Sequence, residues 1–327
     1  MTGDGGAIPI IVGSGRSGTT WVQDTVARAN GYATAFEPLH PNAVPNMATF
    51  AGLYLKTEDH CLGLESFLKQ LFKGQVSNTW VNYRVRPDRL AIQKSHFSHP
   101  RAFYEWLRRW RKYARHYVDY RRYRGKPVLV KCIRANLMLP WLASHFNVRI
   151  AAIVRHPGAV VESKMRLGGD DWEPEVVIER YRSQSGLMEE LPGAHERLSY
   201  ERLTPAGRHA LIWCIENKLL VERAAKWGIV LTYYEDLLDD SADDMWQAVV
   251  EGLGLKHVPD RVSRCRASQQ ASLLTAKSGY ESGHSGGWRS RLSTAQIDEI
   301  QQILDVFEIN QYNMNSMLTC RRRANGP

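Results

Sequence analysis

The sequence predicts an α/β protein with one domain, in which helices flank a central parallel sheet. Short apolar segments, each suited to one buried strand, alternate along the chain with longer segments of helical periodicity. The length of 327 residues suits one large α/β domain. Neither an internal repeat nor a linker-like segment divides the chain, so residues 1–327 are predicted to form a single domain.

Five apolar segments are predicted to be the strands of this sheet. They comprise residues 7–12, 32–36, 127–130, 149–154 and 229–233. Residues 19–29, between the first two, place their apolar side chains at helical spacing and are predicted to form a helix. Parallel sheets bind ligands beyond the carboxyl ends of their strands, so the residues that follow each segment are the first candidates for a site.

Two segments rich in glycine, proline and polar residues, 41–66 and 268–290, are predicted to be long loops. Residues 101–124 have interleaved aromatic and arginine residues at helical spacing. This pattern favours an amphipathic helix that packs its aromatic residues inward. The alternative is a helix that stacks on bases or sugars or contacts an acidic polymer. Residues 41–125 lie between two predicted strands and are a candidate insertion for recognising a substrate.

Charge and cysteine usage narrow the class of protein. Lysine and arginine number 43 against 34 acidic residues, and the net charge of +9 predicts an anionic partner. Nucleic acid, a phosphate-rich cofactor and an acidic polymer all fit that charge. The five cysteines show no C-x-x-C spacing, which indicates reduced thiols and neither a disulfide framework nor a zinc site.

No apolar run reaches the roughly 18 residues that a membrane span needs. The first ten residues also lack the basic start and apolar stretch of a secretory signal. Together with the reduced cysteines, these features predict a cytoplasmic protein. A luminal domain separated from its anchor would show the same features.

A glycine-rich turn, residues 13–21, joins the first strand to the first helix. Glycines allow close approach of the backbone to an anion, and the start of the helix adds N–H groups and a positive dipole end. The spacing nearly matches the nucleotide-binding loop G-x-x-x-x-G-K-[ST], which predicts a P-loop-type fold. The lysine position of that pattern is Thr19, however, so a triphosphate enzyme would lack its main cation here.

The end of the fourth predicted strand also departs from nucleotide-hydrolysing proteins. Magnesium-dependent relatives place an aspartate after a neighbouring strand, whereas this strand is followed by Arg155. An arginine there repels a metal and attracts a second anion. The two features predict a phosphate-type cradle that works without a metal, with Arg16 supplying charge from within the loop.

Four motifs together resemble the sulfotransferases that use 3′-phosphoadenosine 5′-phosphosulfate (PAPS). They are R-S-G-T-T-W at residues 16–21, I-V-R-H-P at residues 153–157 with a serine at 163, Y-E-D-L at residues 234–237, and G-x-x-G-x-W-R at residues 283–289. They occur in the family's order and span most of the chain. The glutamate of F-E-P-L at residues 36–39 resembles the carbohydrate and bacterial branch, and the K-[ST]-H of the cytosolic branch is missing at residues 131–133.

The resemblance implies a set of residues that bind the cofactor. The 5′-phosphosulfate is expected at Gly15, Arg16, Ser17, Gly18, Thr19 and Thr20, the adenine at Trp21, and the 3′-phosphate at Arg155 and Ser163. Gly286, Trp288 and Arg289 would belong to a flap over the 3′-phosphate, within the cofactor-covering loop 268–290. Alternatives remain for three of these residues. Trp21 could be a core residue, Ser163 could bond its own helix backbone, and Arg289 could be a surface ion-paired residue.

The resemblance also implies catalytic residues. Arg16 and Lys131 are the candidate cations for the bridging oxygen of the leaving phosphate, and Glu37 is the candidate general base. Lys131 could instead pair with a carboxylate, and Glu37 could be an ordinary loop carboxylate. His96 is the alternative base, and His40 could contact the acceptor.

The predicted reaction moves the sulfuryl group from PAPS to the hydroxyl of a carbohydrate, a glycolipid or a small metabolite. Adenosine 3′,5′-bisphosphate (PAP) is the expected product, and neither a metal nor nucleic acid is expected to take part. Two other functions fit parts of the sequence. One is a P-loop nucleotide-dependent phosphotransferase, and the other is a non-enzymatic basic protein that binds polyanions. The sequence does not predict the oligomeric state.

Overall fold

The computed structural model describes residues 6–76, 81, 99–123, 127–167, 173–191, 200–238, 242–264 and 287–316. Two of the predicted site residues, His96 and Gly286, lie outside these described residues. The same holds for most of the predicted cofactor-covering loop, of which only residues 287–290 are described.

A five-stranded parallel sheet forms the centre of the protein, as predicted. Its strands are β1 (Ile8–Val12), β2 (Ala33–Phe36), β3 (Val128–Cys132), β4 (Val148–Val154) and β5 (Val230–Tyr233), in the order β2-β3-β1-β4-β5. Because all neighbours pair in parallel, the carboxyl ends of the strands lie at one edge. β3 runs to Cys132, beyond the predicted end at residue 130, so Lys131 lies inside the strand and pairs with Phe36 of β2.

Helices surround the sheet. They are α1 (Thr19–Asn30), α2 (Leu62–Phe72), α3 (Pro100–Tyr123), α4 (Leu139–His145), α5 (Pro157–Leu167), α6 (Pro174–Arg182), α7 (Ser185–Glu190), α8 (Pro205–Arg223), α9 (Tyr234–Leu237), α10 (Asp243–Gly252), α11 (Arg261–Arg264) and α12 (Thr294–Val306). Short 3₁₀ helices occupy Pro45–Phe50 and Tyr200–Arg202. These elements give the α/β architecture that the alternating apolar segments predicted.

The predicted loop 41–66 is partly wrong, because α2 begins inside it. Leu64, Leu68 and Leu71 recur at helical spacing and are buried. Their burial holds the helix although polar and glycine residues precede it.

The core has two parts, one on each face of the sheet. Alternate residues of β1 divide between them: Ile10 and Val12 face one part, and Ile11 faces the other. α1 and α10 cover the face of Ile11, with Trp246 as its largest buried side chain. The opposite, larger part contains Trp141 and Trp213, and on it α8 packs against α5, α6 and α12.

The basic aromatic segment forms the predicted helix, α3. Phe103 and Trp110, which the helical pattern assigns to the inward face, are 40% and 49% exposed. The predicted inward packing is therefore wrong at these two positions. Across the residues that the structure describes, none of the helices combines the length and the apolar character that crossing a bilayer requires.

Candidate active site

The glycine-rich turn leaves β1 at the carboxyl edge of the sheet and leads directly into α1. Gly18 is the residue before the helix, has φ +88°, and leaves the N-terminus without a side-chain cap. A side chain on Gly18 would collide with the ring of Tyr234. The first N–H groups of α1 have no carbonyl partners within the helix, so this end offers donors to an anion.

Two polar atoms in the turn and just after β4 are buried and lack a hydrogen-bond partner among the described residues. They are Ser17 Oγ in the turn and Arg155 Nε, just beyond β4. Buried donors of this kind are normally hydrogen-bonded. The unpartnered hydroxyl and guanidinium, beside an uncapped helix N-terminus, fit a ligand that carries phosphate-type anions.

Arg16 connects the turn to the segment after β4. Its Nε donates a hydrogen bond to Ser163 Oγ at 3.0 Å, and its carbonyl accepts one from Arg155 Nη1 at 3.1 Å. Arg16 also has φ +75°, a backbone conformation that is uncommon outside glycine and is often found at functional sites. The structure therefore brings Arg16 to Arg155 and Ser163, which lie more than a hundred residues later in the sequence.

An aromatic group closes one side of this cluster. The ring of Tyr234 lies 4.6 Å from the guanidinium carbon of Arg155 and 5.6 Å from the ring of Trp21. Trp21 packs edge-on against Trp246, and its indole N–H donates to the Arg264 carbonyl. Trp21 thus makes the contacts of a core residue, which was the alternative role that the sequence allowed. Its contact with adenine stays a prediction.

Glu37 follows β2 at the same edge and is 2% exposed. Its carboxylate lies 2.5 Å from Lys131 Nζ and 3.2 Å from Arg134 Nη1, and it accepts a hydrogen bond from the Ile133 N–H. Its backbone φ of +43° is again unusual for a residue other than glycine. The structure therefore joins two predicted catalytic residues, Glu37 and Lys131, in one buried ion pair.

Lys131 is buried with its ammonium 4.3 Å from the centre of the Phe36 ring. Burial lowers the pKa of Lys131, and the negative charge of Glu37 opposes that effect. The pair with Glu37 is the carboxylate contact that the sequence left open for this lysine. Two cations, from Lys131 and Arg134, thus surround one anion at this point.

Residues 9–259 match the model of a family described as the sulfotransferase family. The chain belongs to the sulfotransferase family. The family that the four motifs predicted is therefore confirmed. Membership of this family supports sulfotransferase activity.

Two solved structures are similar to this sulfotransferase at low identity. The sulfotransferase domain from the Synechococcus PCC 7002 olefin synthase is 15% identical with a TM-score of 0.40, and 94% of this chain and 96% of that chain are covered. The sulfotransferase domain from the curacin biosynthetic pathway is 14% identical with a TM-score of 0.37, and the coverage is 93% and 98%. No curated protein sequence matches the chain significantly.

The described part of the predicted flap packs beside Arg155. The Trp288 ring stacks on His156 at 4.6 Å, and Trp288 is 1% exposed. Burial lowers the pKa of His156 to about 4, so the ring is neutral near pH 7. Arg289, the residue after this buried tryptophan, is exposed. Its side chain donates a hydrogen bond to the Met314 carbonyl.

The sequence also left His40 as a possible contact to the acceptor. His40 is 3% exposed, and its Nδ1 accepts a hydrogen bond from the Ala43 N–H. Its backbone N–H donates to the Glu37 carbonyl. His40 therefore shapes the turn after Glu37 in this structure.

Several residues of this edge were not predicted from the sequence. Arg134, Lys164 and Glu216 are the charged ones, and Tyr181 hydrogen-bonds to Glu216. Arg134 follows a predicted strand and Lys164 follows Ser163, so their positions carried a usable signal. Tyr181 and Glu216 lie inside helices with no motif, and the sequence offered no signal for them.

Among the described residues, one group has side chains placed as metal ligands: His60, Glu65 and His145, whose ligand atoms lie within 4.8 Å of one another. His145 ends α4, just before β4 begins, so this group lies at the amino edge of the sheet. The glycine-rich turn lies at the carboxyl edge. That the reaction needs no metal stays a prediction.

Proposed function

We propose that this sulfotransferase moves the sulfuryl group of PAPS to an acceptor hydroxyl. The observation that carries the proposal is the linkage of two anion-binding elements through Arg16. The uncapped start of α1 with Ser17 suits one phosphate-type group, and Arg155 with Ser163 suits a second. A donor with separate 5′ and 3′ anions needs two such elements.

The residues have the following proposed roles toward the donor. The 5′-phosphosulfate is bound by the backbone and side chains of residues 15–20, and the 3′-phosphate by Arg155 and Ser163. Trp21 contacts the adenine. Trp288 and Arg289 cover the 3′-phosphate, which is supported by the stacking of Trp288 on His156, the residue that follows Arg155.

When bound, PAPS supplies an activated sulfuryl group, whose bond to the bridging oxygen breaks with its electron pair leaving on the 5′-phosphate of PAP. Glu37 accepts the proton of the acceptor hydroxyl, whose oxygen forms the new bond to sulfur. Arg16 and Lys131 supply positive charge where the leaving phosphate becomes more negative. The contacts with Lys131 and Arg134 hold the Glu37 carboxylate in place before the acceptor arrives.

The proposed donor is tested with ³⁵S-labelled PAPS and a set of acceptors that carry hydroxyl groups, with a chelator present. We expect one labelled sulfate ester for each PAP formed, at a rate that the chelator leaves unchanged. A parallel reaction with γ-³²P-labelled ATP and magnesium should give no labelled product. Label transfer from ATP, or no transfer from PAPS to any acceptor, would contradict the proposal.

A further inference from the structure

A cavity of about 160 Å³ opens directly beside the glycine-rich turn. One wall is formed by Gly15 and by Ile133 and Arg134, which directly follow β3. The N–H of Ile133 and Nη1 of Arg134 both contact Glu37, so the proposed base lies behind this wall. Drug-sized ligands occupy roughly 300 Å³ or more, and this cavity therefore suits a small group or one end of a larger molecule.

The opposite wall carries a buried charged pair. Lys164 Nζ lies 4.0 Å from Glu216 Oε2, and the two side chains are 3% and 10% exposed. The Tyr181 hydroxyl donates to the other carboxylate oxygen, Glu216 Oε1, at 2.9 Å. A separation of 4.0 Å is too long for a hydrogen bond, so the carboxylate oxygen nearest the lysine remains available to a ligand.

Two buried atoms of this wall have no hydrogen-bond partner among the described residues. They are Glu216 Oε2 and His209 Nδ1. Both residues line the cavity. Burial lowers the pKa of His209 to about 4, so its ring is neutral near pH 7. Since polar atoms of a binding cavity are paired when the ligand is bound, the ligand should bring hydrogen-bonding groups to both atoms.

The charges of the lining residues decide which hydrogen-bonding group of a ligand fits the cavity. Three cationic residues line the cavity, Arg134, Lys164 and Arg180, against two acidic ones, Glu173 and Glu216. This excess of positive charge disfavours an ammonium group. The unpartnered oxygen of Glu216 equally disfavours a carboxylate or phosphate at the same point. A neutral hydroxyl can donate to Glu216 and accept from a cation, so it satisfies both kinds of neighbour.

We propose that this cavity is the acceptor site and that it binds the neutral polyhydroxyl end of a sugar or polyol. One hydroxyl of that group bonds to Glu216 Oε2, and a second faces Gly15 and the wall of Ile133 and Arg134, behind which Glu37 lies. The inference rests on the proposed sulfuryl transfer and adds the class of the acceptor. Glu216 and Lys164 act as specificity residues, and Tyr181 positions the carboxylate of Glu216.

The acceptor class is tested with PAPS and matched probes. They are a methyl glucoside as the neutral polyol, the corresponding methyl glucosaminide as the amine, the methyl glucuronide as the acid, and 1-hexanol as a simple alcohol. We expect kcat/KM to be at least about tenfold higher for the glucoside than for each other probe. Equal or higher efficiency with the amine, the acid or hexanol would overturn the proposed class.

The specificity residues are tested with the double variant Lys164→Met/Glu216→Gln, which removes both buried charges together and so leaves neither unpaired. We expect KM for the glucoside to rise at least about tenfold, and Tyr181→Phe to raise it less. The matched control is Lys218→Met/Glu222→Gln, a partly exposed ion pair on α8, the helix of Glu216, and it should leave KM unchanged. An unchanged KM in the first double variant would overturn the role of the pair.

Titration with PAP separates this inference from the proposed function. Every variant should bind PAP as the unchanged protein does, which also shows that it is folded. Failure of the unchanged protein to bind PAP would contradict the proposed function itself. PAP binding without transfer to any of the four probes would overturn the acceptor proposal alone.

Discussion

Arg155→Ala is expected to weaken PAP binding by about ten- to a hundredfold. The side chain bonds to the Arg16 carbonyl, and its Nε is buried without a partner among the described residues. A charge-assisted hydrogen bond to phosphate contributes about 1.5–3 kcal/mol, which corresponds to that loss of affinity. Isothermal titration with PAP measures the change directly.

The specificity of this effect is checked with a second ligand and two further variants. Binding of 5′-AMP, which lacks the 3′-phosphate, should weaken much less in Arg155→Ala. The PAP affinity of Arg155→Lys should lie between those of the unchanged protein and Arg155→Ala, because lysine keeps the charge and lacks the planar guanidinium. Arg166→Ala, which removes an arginine paired with Glu162 on α5, should bind PAP normally. Equal losses for PAP and 5′-AMP would place Arg155 elsewhere than at the 3′-phosphate.

Glu37→Gln is expected to lower kcat by about a hundredfold or more, because a general base contributes roughly 10² to 10⁴ to a rate. The amide has the size of the carboxylate and cannot accept the proton. PAP affinity should change little, since Glu37 contacts Lys131, Arg134 and Ile133 in the structure. Single-turnover transfer from labelled PAPS measures the chemical step.

The variant also leaves the buried Lys131 and the partly buried Arg134 without their anion, so its folding needs a control. Glu162→Gln is suited to this, because Glu162 is likewise a buried carboxylate held by two arginines, Arg166 and Arg291. It should lose some thermal stability and keep kcat. Near-normal turnover of Glu37→Gln would contradict its role as base and direct attention to His96.

The sheet, and the position of Arg16 and Arg155 at its carboxyl edge, could be predicted because their signals are local. Each strand is one continuous apolar segment, and the glycine-rich turn is contiguous in the sequence. Arg155 is a candidate from the sequence because it directly follows a buried strand, and parallel sheets bind ligands at that edge. Such positions follow from the topology of a parallel sheet alone.

The acceptor side could not be predicted, because its residues come from separate helices. Lys164 lies on α5, Tyr181 on α6 and Glu216 on α8, and only their packing places them around one cavity. In the sequence, Glu216 is one charged residue within a mostly buried helix. The exposed face of Trp110 was mispredicted for a related reason, since an amphipathic pattern does not specify whether a partner element covers it.

The central claim is that the carboxyl edge of the sheet holds a nucleotide through two separate phosphate-type anions. Calorimetric titration of the intact protein with PAP, and separately with ATP and magnesium, tests it most directly. We expect one PAP to bind per chain, at least about tenfold more tightly than ATP, because Thr19 stands where a triphosphate site needs lysine. Tighter binding of ATP with magnesium, or no binding of PAP, would contradict the account.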